Sequence, residues 1–230
     1  MSSPILITGA TGFLGHTLCP HLVRHGYRLR AFVRPTSAWE FLRPLGVDLA
    51  WGDIRDADAI RAAAGGCGAI VHAAAKFRFW GHPADFLATN VDGTKNALEA
   101  ARQAGVERFI YISTVAVVGT PRQGTTIDER YPLDPQDDYQ RSKLAAERLA
   151  LSYYSERHVP TIVLRPGAIY GPGGRYGFNR LFFEDPLKGI PLQVHRGRHI
   201  SFPAYVLDVA KHQIRAQAGA TGGGVQRQWP

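Results

Sequence analysis

Short apolar runs alternate with longer stretches of helical periodicity, and no other feature of this chain restricts its fold as strongly. The apolar runs cover residues 4–8, 27–33, 47–51, 68–73, 107–113 and 160–165, and the helical stretches cover residues 13–25, 57–64, 84–105, 138–157, 179–188 and 205–218. Regular alternation of this kind is typical of a parallel sheet with helices on both faces and right-handed crossovers. We therefore predict a doubly wound α/β fold, with ligands at the carboxyl ends of the strands. Pro20 lies inside the first predicted helix, where it costs about 3 kcal/mol or produces a kink, but we still expect that helix.

Composition restricts the class of protein. The 230 residues are 45% hydrophobic and 20% charged, which predicts one domain, or one large lobe with a small appendage, folded throughout. The net charge is +8, but the arginines are scattered without a run of five or six like charges, so nucleic-acid binding is disfavoured. A basic surface also suits an enzyme with anionic ligands, and arginine-rich codon usage explains it equally well.

The two cysteines, the start of the first strand and the length of the apolar runs predict the compartment. Cys19 and Cys67 stand in apolar stretches without metal-ligand spacing, which indicates reduced core thiols. The first strand begins at Pro4, which leaves no room for a signal peptide, and no run of about 18 apolar residues could span a bilayer. We expect a cytoplasmic protein without a membrane partner. No metal is predicted, because no carboxylate or third ligand accompanies His195 and His199.

A glycine-rich turn follows the first strand. The residues Thr8 to Gly15, TGATGFLG, enter a helix, where glycines permit close backbone approach to a pyrophosphate and the helix N-terminus stabilises its charge. With 25 Gly in the chain, three glycines at this spacing arise by chance about 0.3 times, so the position between strand and helix carries the inference. It predicts a Rossmann-type dinucleotide site, with cofactor contacts from Gly9, Thr11, Gly12, Phe13, Leu14 and Gly15.

The end of the second strand predicts which dinucleotide binds. NAD-preferring folds place Asp or Glu there for the ribose 2′-hydroxyl, whereas this chain has Arg34. A guanidinium pairs with a 2′-phosphate, and Thr36 and Ser37 could add donors. We therefore predict NADP rather than NAD, with NAD as the alternative if Arg34 is only a solvated strand-end residue.

Two later segments add predicted cofactor contacts. Asp53 can accept a hydrogen bond from the adenine amino group while Ile54 packs on the ring, although Asp53 could equally cap a helix. After the fourth strand, small side chains would let the cofactor pass close to the backbone; they are Ala73, Ala74 and Ala75.

A tyrosine and a lysine stand four residues apart on one face of a predicted helix. Tyr139 and Lys143 place a phenol beside an ammonium, and a neighbouring cation favours the phenolate, which suits a general acid or base. With only five lysines in the chain, chance predicts about 0.2 such pairs. The pair therefore indicates proton chemistry.

The motifs TGATGFLG, GDIRD, HAAA, NVDGT, YISTVAVVG, YQRSK and LRPGAIYGP, in this order, resemble the extended short-chain dehydrogenase/reductases, the NAD-dependent epimerase/dehydratase family. The resemblance covers residues 4–172 well and 173–218 loosely. HAAAKFRFWG and VRPTS are most similar to the hopanoid-associated sugar epimerase and dihydroflavonol reductase branches.

The resemblance implies a catalytic tetrad of Asn90, Thr114, Tyr139 and Lys143. Thr114, five residues before Gly119, is preferred over its neighbour Ser113. Tyr139 would exchange a proton with the substrate oxygen, which Thr114 also contacts. Lys143 would bind the nicotinamide ribose and lower the Tyr139 pKa, and Asn90 would hold the active-site backbone or a relay water. Without the resemblance, Asn90 and Thr114 would be an ordinary helix residue and a strand-end cap.

The resemblance also implies a nicotinamide pocket and an assembly. Pro166 and Ala168, around Gly167, would line the pocket, although a plain Pro-Gly turn has the same letters. Helices 84–105 and 138–157 resemble those that pair into a homodimer in the family.

The substrate side is less defined. We expect residues 1–172 to form the dinucleotide domain, residues 173–204 a small and incomplete substrate lobe, and residues 205–230 a truncated returning helix and strand. Ser201 stands where the family often has an arginine for a substrate phosphate, and the substitutes would be Arg175, Arg196 and Arg198.

Three functions therefore stay open. The first is an oxidoreductase or epimerase that transfers hydride at a secondary alcohol or ketone of a sugar-like molecule. The second is a reductase of small hydrophobic carbonyl compounds, suggested by the aromatic segment from Phe77 to Trp80. The third is a non-catalytic redox sensor that binds the dinucleotide.

Overall fold

The computed structural model describes residues 3–77, 81–122, 124–174, 177–190, 201–218 and 226–228. Its centre is a parallel sheet of seven strands: β1 (Ile5–Thr8), β2 (Leu29–Val33), β3 (Asp48–Trp51), β4 (Ala69–His72), β5 (Arg108–Ile112), β6 (Thr161–Arg165) and β9 (Gln226–Gln228). Their order across the sheet is β3-β2-β1-β4-β5-β6-β9. The order in which strands are added reverses between β1 and β4: β2 and β3 follow β1 toward one edge of the sheet, and β5 and β6 follow β4 toward the other. The carboxyl ends of β1 and β4 therefore form the crevice in which such folds bind ligands.

Helices cover both faces of the sheet. They are α1 (Phe13–Arg24), α2 (Ala57–Ala64), α3 (Pro83–Phe86), α4 (Gly93–Ala104), α5 (Asp138–Arg157), α6 (Asp185–Leu187) and α7 (Val206–Ala218). One buried cluster joins the sheet to α1 and α7, and a second joins it to α2, α4 and α5. Successive strand residues alternate between the two, as Leu6 does with its neighbours Ile5 and Ile7. The predicted doubly wound α/β fold is therefore confirmed.

The first helix runs without interruption through Pro20, so the helix prediction is correct despite the proline. Four of its residues, Leu14, Leu18, Cys19 and Leu22, are buried against the sheet. Burial of that apolar face offsets the missing N–H of the proline.

The predicted helix 84–105 is interrupted. A π-helical turn, Leu87–Asp92, lies between α3 and α4. A second π-helical turn, Arg180–Glu184, precedes α6 within the predicted helix 179–188. Turns of this kind are common at functional sites, and the first of them contains Asn90.

A small second sheet lies beyond β6. It consists of β7 (Ala168–Tyr170) and β8 (Pro203–Tyr205), which pair in parallel. Two 3₁₀ turns, Glu40–Leu45 and Val115–Val118, were also not predicted from the sequence. In the described part of the chain, no helix is long and apolar enough to cross a membrane.

Candidate active site

The glycine-rich turn connects β1 to α1. Gly9 has a φ of +72°, and a Cβ atom there would lie 2.7 Å from the backbone of Ala73 and Ala74. Only glycine allows β1 and β4 to approach so closely at this point. A Cβ at Gly15 would lie 2.1 Å from the Ala10 carbonyl oxygen, so that glycine packs the helix onto the turn.

The N-terminus of α1 is open to an anion. Gly12 occupies the N-cap position, no side chain caps the helix, and no acidic residue stands in its first turn. The first N–H groups of the helix are therefore available as hydrogen-bond donors, and the positive potential of the helix N-terminus is not neutralised by an acidic side chain. This cradle fits the pyrophosphate of a dinucleotide.

A cavity of about 600 Å³ extends from this turn along the carboxyl ends of β2, β3 and β4 to Phe77. Nine of the predicted cofactor residues line it, namely Gly9, Thr11, Gly12, Arg34, Asp53, Ile54, Ala73, Ala74 and Ala75. The cavity therefore collects residues from four separate segments of the sequence in one place.

The other predicted contacts of the turn, Phe13, Leu14 and Gly15, are not among the residues that line this cavity. Leu14 is buried in the core and Phe13 packs against the same core.

Pro166 accepts a hydrogen bond at its carbonyl from Val115 N (2.9 Å), and Ala168 N donates to the Phe202 carbonyl (2.6 Å). Pro166 and Ala168 thus form a turn held from both sides, and their role at the nicotinamide stays a prediction.

Two arginines at the outer end of the cavity differ in their partners. Arg34, directly after β2, is exposed and lines the cavity. Arg55 instead binds Asp53, with Nε 2.8 Å from Oδ1. This contact holds the pKa of Asp53 below its usual value. Ser37 donates its hydroxyl to the Arg34 carbonyl at 2.6 Å, so this predicted extra donor is already engaged.

Asp53 is not the helix cap that the sequence left open as an alternative. Asp56 fills that position, since its side chain accepts from the backbone N–H groups of Asp58 (3.0 Å) and Ala59 (3.1 Å) at the start of α2. Asp53 is therefore free of a capping role and faces the cavity with Arg55.

Asn90 is buried and bridges three segments. Its Oδ1 accepts from Lys76 N at 2.7 Å, and its Nδ2 donates to the Lys76 carbonyl at 3.2 Å and to Ser142 Oγ at 2.9 Å. Lys76 follows the alanine segment, and Ser142 is the residue before Lys143. Asn90 therefore fixes the backbone beside the cavity relative to α5.

Tyr139 lies between Thr114 and Phe77. The Thr114 hydroxyl lies close enough to the Tyr139 hydroxyl to lower its pKa. The Tyr139 and Phe77 rings meet edge-on with centroids 5.1 Å apart. Ser113, the alternative to Thr114, points elsewhere and donates to Glu147 Oε2 at 2.6 Å. Of the two neighbouring hydroxyls, only Thr114 contacts the tyrosine.

Burial dominates the electrostatics of Tyr139 and Lys143. The Lys143 ammonium donates to the Ile112 carbonyl at 2.6 Å, and burial lowers the pKa of Lys143 to about 7. Burial raises the pKa of Tyr139 above its usual value, Asp137 raises it further, and the Thr114 hydroxyl opposes the shift. Desolvation of the phenolate therefore dominates the pKa of Tyr139 here, and the lowering of that pKa by Lys143 stays a prediction.

A buried polar chain connects the glycine turn to Asn90 and was missed. Thr8 Oγ1 lies 2.8 Å from His72 Nδ1, and His72 Nε2 lies 3.0 Å from Thr94 Oγ1. Thr94 in turn donates to the Asn90 carbonyl at 2.6 Å. A histidine ending an otherwise apolar strand was the available sequence signal.

Several predicted residues lie outside the described ones, namely Arg78, Phe79, Trp80, Arg175, His195, Arg196, Arg198 and His199. Within the described ranges, no group of three His, Cys, Asp or Glu side chains could hold a metal ion.

Comparison with known proteins agrees with this geometry. Residues 5–185 match the NAD dependent epimerase/dehydratase family. The chain is 37% identical over 181 residues to 2-alkyl-3-oxoalkanoate reductase of Stenotrophomonas maltophilia, a match that covers 77% of this chain and 54% of that protein. It is 35% identical over 194 residues to 3 beta-hydroxysteroid dehydrogenase/Delta 5→4-isomerase of Mycobacterium tuberculosis, covering 80% of this chain and 52% of that protein. The chain spans about half the length of these curated relatives.

A solved structure adds the same relationship in three dimensions. UDP-glucose 4-epimerase of Thermus thermophilus in complex with NAD superposes with a TM-score of 0.85 and 27% identity, over 98% of this chain and 76% of that one. The resemblance drawn from the ordered motifs is thus confirmed by sequence and by fold. This chain belongs to the NAD dependent epimerase/dehydratase family.

Proposed function

We propose that this chain is an NAD(P)-dependent oxidoreductase that acts at a secondary alcohol or ketone, with Tyr139 as the proton-exchanging residue. One observation carries the proposal. Tyr139 lies beside Thr114, whose hydroxyl lowers its pKa, and its ring touches Phe77, which lines the cavity that begins at the glycine turn. The proton-transfer residue and the cofactor cavity therefore adjoin.

The cofactor would be held by the glycine turn, by Asp53 and Ile54 at the adenine, and by the alanine segment. When bound, its nicotinamide supplies or accepts a hydride. Lys143 would bind the nicotinamide ribose, and Pro166 and Ala168 would border the ring. Asn90 would support the cofactor site indirectly, because it fixes the backbone of Lys76 against α5.

The reduction direction is the one that the tyrosine favours. Because burial raises its pKa, Tyr139 stays a phenol at neutral pH. It would donate its proton to the carbonyl oxygen, while Thr114 donates a hydrogen bond to the same oxygen. The products would be the secondary alcohol, the oxidised dinucleotide that supplied the hydride, and a tyrosinate that regains its proton from water.

A hydrophobic carbonyl compound is the substrate class that the described residues favour. The Phe77 ring covers one side of Tyr139, and Tyr170 lies within 6 Å, centroid to centroid, of Phe178, Phe183 and Tyr205. These rings offer apolar area rather than hydrogen-bond donors. Two relatives named for an oxoalkanoate and a hydroxysteroid agree with this class.

A sugar-like substrate is the second candidate. It is favoured by the likeness to UDP-glucose 4-epimerase and by the net positive charge. In that case the hydride would leave and return at one secondary alcohol, with Tyr139 acting as base and then as acid.

The preferred cofactor would be NADP. Arg34 is exposed at the outer end of the cavity, while Asp53 nearby is held by Arg55. This leaves the Arg34 guanidinium available to a 2′-phosphate. NAD, which the epimerase structure contains, would bind without that contact.

The experiment is a screen of NADPH and NADH oxidation against aliphatic ketones, 3-oxo acids, hydroxysteroid ketones and nucleotide sugars. Tyr139→Phe should lower hydride transfer by about 10² to 10⁴ and leave the cofactor Kd nearly unchanged. Tyr154→Phe, on the same helix, is the matched control. An active Tyr139→Phe variant would refute the proton role, and cofactor binding without turnover of any compound would favour the redox-sensor alternative.

We also propose a homodimer in which α4 and α5 pair with the same helices of a second copy, as the family resemblance implies. The two helices pack beside each other on one face of the sheet. Light scattering of the purified chain tests this, and a mass of one chain at micromolar concentration would contradict it.

A cytoplasmic location is proposed from the two cysteines. Cys19 and Cys67 are both free and buried, and burial raises the pKa of Cys19 to about 12, as expected of thiols kept reduced in a core. Cell fractionation tests this, and recovery of the protein outside the cytoplasmic fraction would contradict it.

A further inference from the structure

A buried polar cluster lies one helical turn beyond Lys143. Glu147, on α5, receives hydrogen bonds from two strand ends: Ser113 Oγ donates to its Oε2 at 2.6 Å, and Arg165 Nε lies 3.1 Å from both carboxylate oxygens. Arg165 Nη2 makes a further contact with Oε1. All three residues, which we call the Glu147 cluster, are at most 4% exposed.

Stability alone does not account for the cluster. A buried ion pair is often no more stabilising than apolar side chains of the same volume, because both charges lose their hydration. Arg165 also keeps one nitrogen, Nη1, buried without a hydrogen-bond partner among the described residues. The position of the cluster is more informative than its energy.

Two members of the Glu147 cluster lie close to predicted catalytic residues in the sequence. Ser113 directly precedes Thr114, and Glu147 follows Lys143 by four residues on the same face of α5. The hydrogen bond to Glu147 holds the Ser113 hydroxyl in the protein interior. The side chain of the next residue, Thr114, therefore lies on the side of Tyr139.

Among the described titratable groups around Lys143, Glu147 is the one that carries a negative charge. The ammonium lies 4.3 Å from the centroid of the Tyr111 ring of β5, and burial raises the pKa of that phenol. His72 of β4 is held neutral, because burial lowers its pKa to about 3, and Tyr139 of α5 is held protonated. Burial lowers the pKa of Lys143, and the negative charge of Glu147 raises it.

We propose that Glu147 is a positioning residue of this site, whose carboxylate, fixed by Arg165 and Ser113, favours the charged form of Lys143 and holds Thr114 turned toward Tyr139. Its consequence for catalysis rests on the proposed function, but its effect on Lys143 does not. Charge and shape are separable here. Glu147→Gln keeps the shape and removes the charge, whereas Glu147→Asp keeps the charge and shortens the side chain.

The experiment is a titration of the lysine side chains by NMR in protein labelled with ¹³C at lysine Cε. The chain has only five lysines, and Lys143→Met assigns the relevant resonance. In Glu147→Gln the titration midpoint of Lys143 should fall by about one pH unit or more. In Glu147→Asp it should stay near the wild-type value. An unchanged midpoint in a folded Glu147→Gln protein overturns the proposal.

A second variant guards against misfolding. Glu147→Met combined with Arg165→Met replaces the pair by apolar side chains, which cores often tolerate. Because loss of the Arg165 charge partly offsets loss of the Glu147 charge, the Lys143 midpoint should fall less in this variant than in Glu147→Gln, and a rise of the midpoint overturns the proposal.

The pH profile of carbonyl reduction adds a catalytic readout. The rate should decline as pH rises through the Lys143 midpoint, and Glu147→Gln should move that decline to lower pH while Glu147→Asp does not. A purely structural role would lower the rate in both variants without moving the profile. Absence of turnover in the wild type would refute the proposed function, while the NMR titration would still decide on Glu147.

Discussion

The ring of Phe77 meets the ring of Tyr139 edge-on, with centroids 5.1 Å apart and planes at 77°. Phe77 also lines the cofactor cavity. A Cβ atom at Gly177 would lie 3.8 Å from the same ring, so Phe77 also lies near the segment beyond β7. One apolar side chain thus joins the cavity, the proposed proton donor and the predicted substrate lobe.

Replacement of Phe77 should therefore affect the substrate more than the cofactor. Phe77→Ala removes an aromatic contact worth about 0.5–1.5 kcal/mol, so kcat/KM for an apolar ketone should fall up to about tenfold. Phe77→Leu, which keeps apolar volume, should lose less. The measurements are steady-state kinetics and the cofactor Kd by fluorescence. An equal loss in cofactor affinity would place Phe77 in the dinucleotide site instead.

Arg34 should determine the choice between the two dinucleotides. A hydrogen bond to a charged partner contributes about 1.5–3 kcal/mol, so Arg34→Gln should raise the Kd of NADPH about 10- to 100-fold and leave that of NADH nearly unchanged. Arg61→Gln removes the same charge from α2, outside the cavity, where Arg61 pairs with Asp58. Calorimetric titration of both nucleotides checks the result. Tighter binding of NADH than of NADPH by the wild type would contradict the NADP proposal.

The six strands predicted from the sequence are all present. Five of them are buried along nearly their whole length, whereas β3, at the edge of the sheet, is partly exposed. Buried parallel strands appear as continuous apolar runs, which are easily recognised. By contrast, β7 and β8 are three residues long, and a pairing between Ala168 and Pro203 has no local signature. The π-helical turn around Asn90 was also unpredictable, since helical periodicity does not reveal one inserted residue.

The polar interior was least accessible to prediction. Motif order indicated Tyr139 and Lys143, but not that Lys143 would donate to the Ile112 carbonyl or that burial would raise the Tyr139 pKa. Those facts depend on which strand ends meet across the sheet. The contact of Glu147 with Arg165, 18 residues apart, and that of Thr8 with His72, 64 residues apart, have the same origin.

Gly15 should be intolerant of any side chain. A methyl group there would lie 2.1 Å from the Ala10 carbonyl oxygen and 2.6 Å from that of Gly9. Gly15→Ala should therefore lower the free energy of unfolding by about 1–3 kcal/mol and distort the phosphate cradle. Gly65→Ala is the control, because its nearest contact would be 3.3 Å at a negative φ. Urea denaturation measures both, and equal stability of the two variants would refute the packing role.

His72 should make stability depend on acid pH. Thr94 donates to the Asn90 carbonyl, so it accepts from His72 Nε2–H; His72 Nδ1 then accepts from Thr8. The network thus assigns a neutral Nε2–H tautomer. Protonation of Nδ1 would remove that acceptor in a site that is 0% exposed. Burial accordingly lowers the pKa of His72 to about 3, from 6.5 in a solvated chain.

The sign of the effect follows from proton uptake. Between pH 6.5 and about 3 the unfolded chain binds one more proton at this histidine than the folded protein does. The free energy of unfolding should therefore fall by about 1.4 kcal/mol for each pH unit of acidification in this range. Glu99, whose pKa Arg102 lowers to about 2, adds to the acid loss near and below its ordinary pKa, so the histidine is isolated by difference. His72→Gln should show a shallower slope between pH 6.5 and 4.5, while His158→Gln, at an exposed position, should keep the wild-type slope. Urea denaturation across this range measures the slopes. Parallel slopes for wild type and His72→Gln would mean that the buried imidazole is already protonated in the folded state, which the hydrogen bonds to Thr8 and Thr94 argue against.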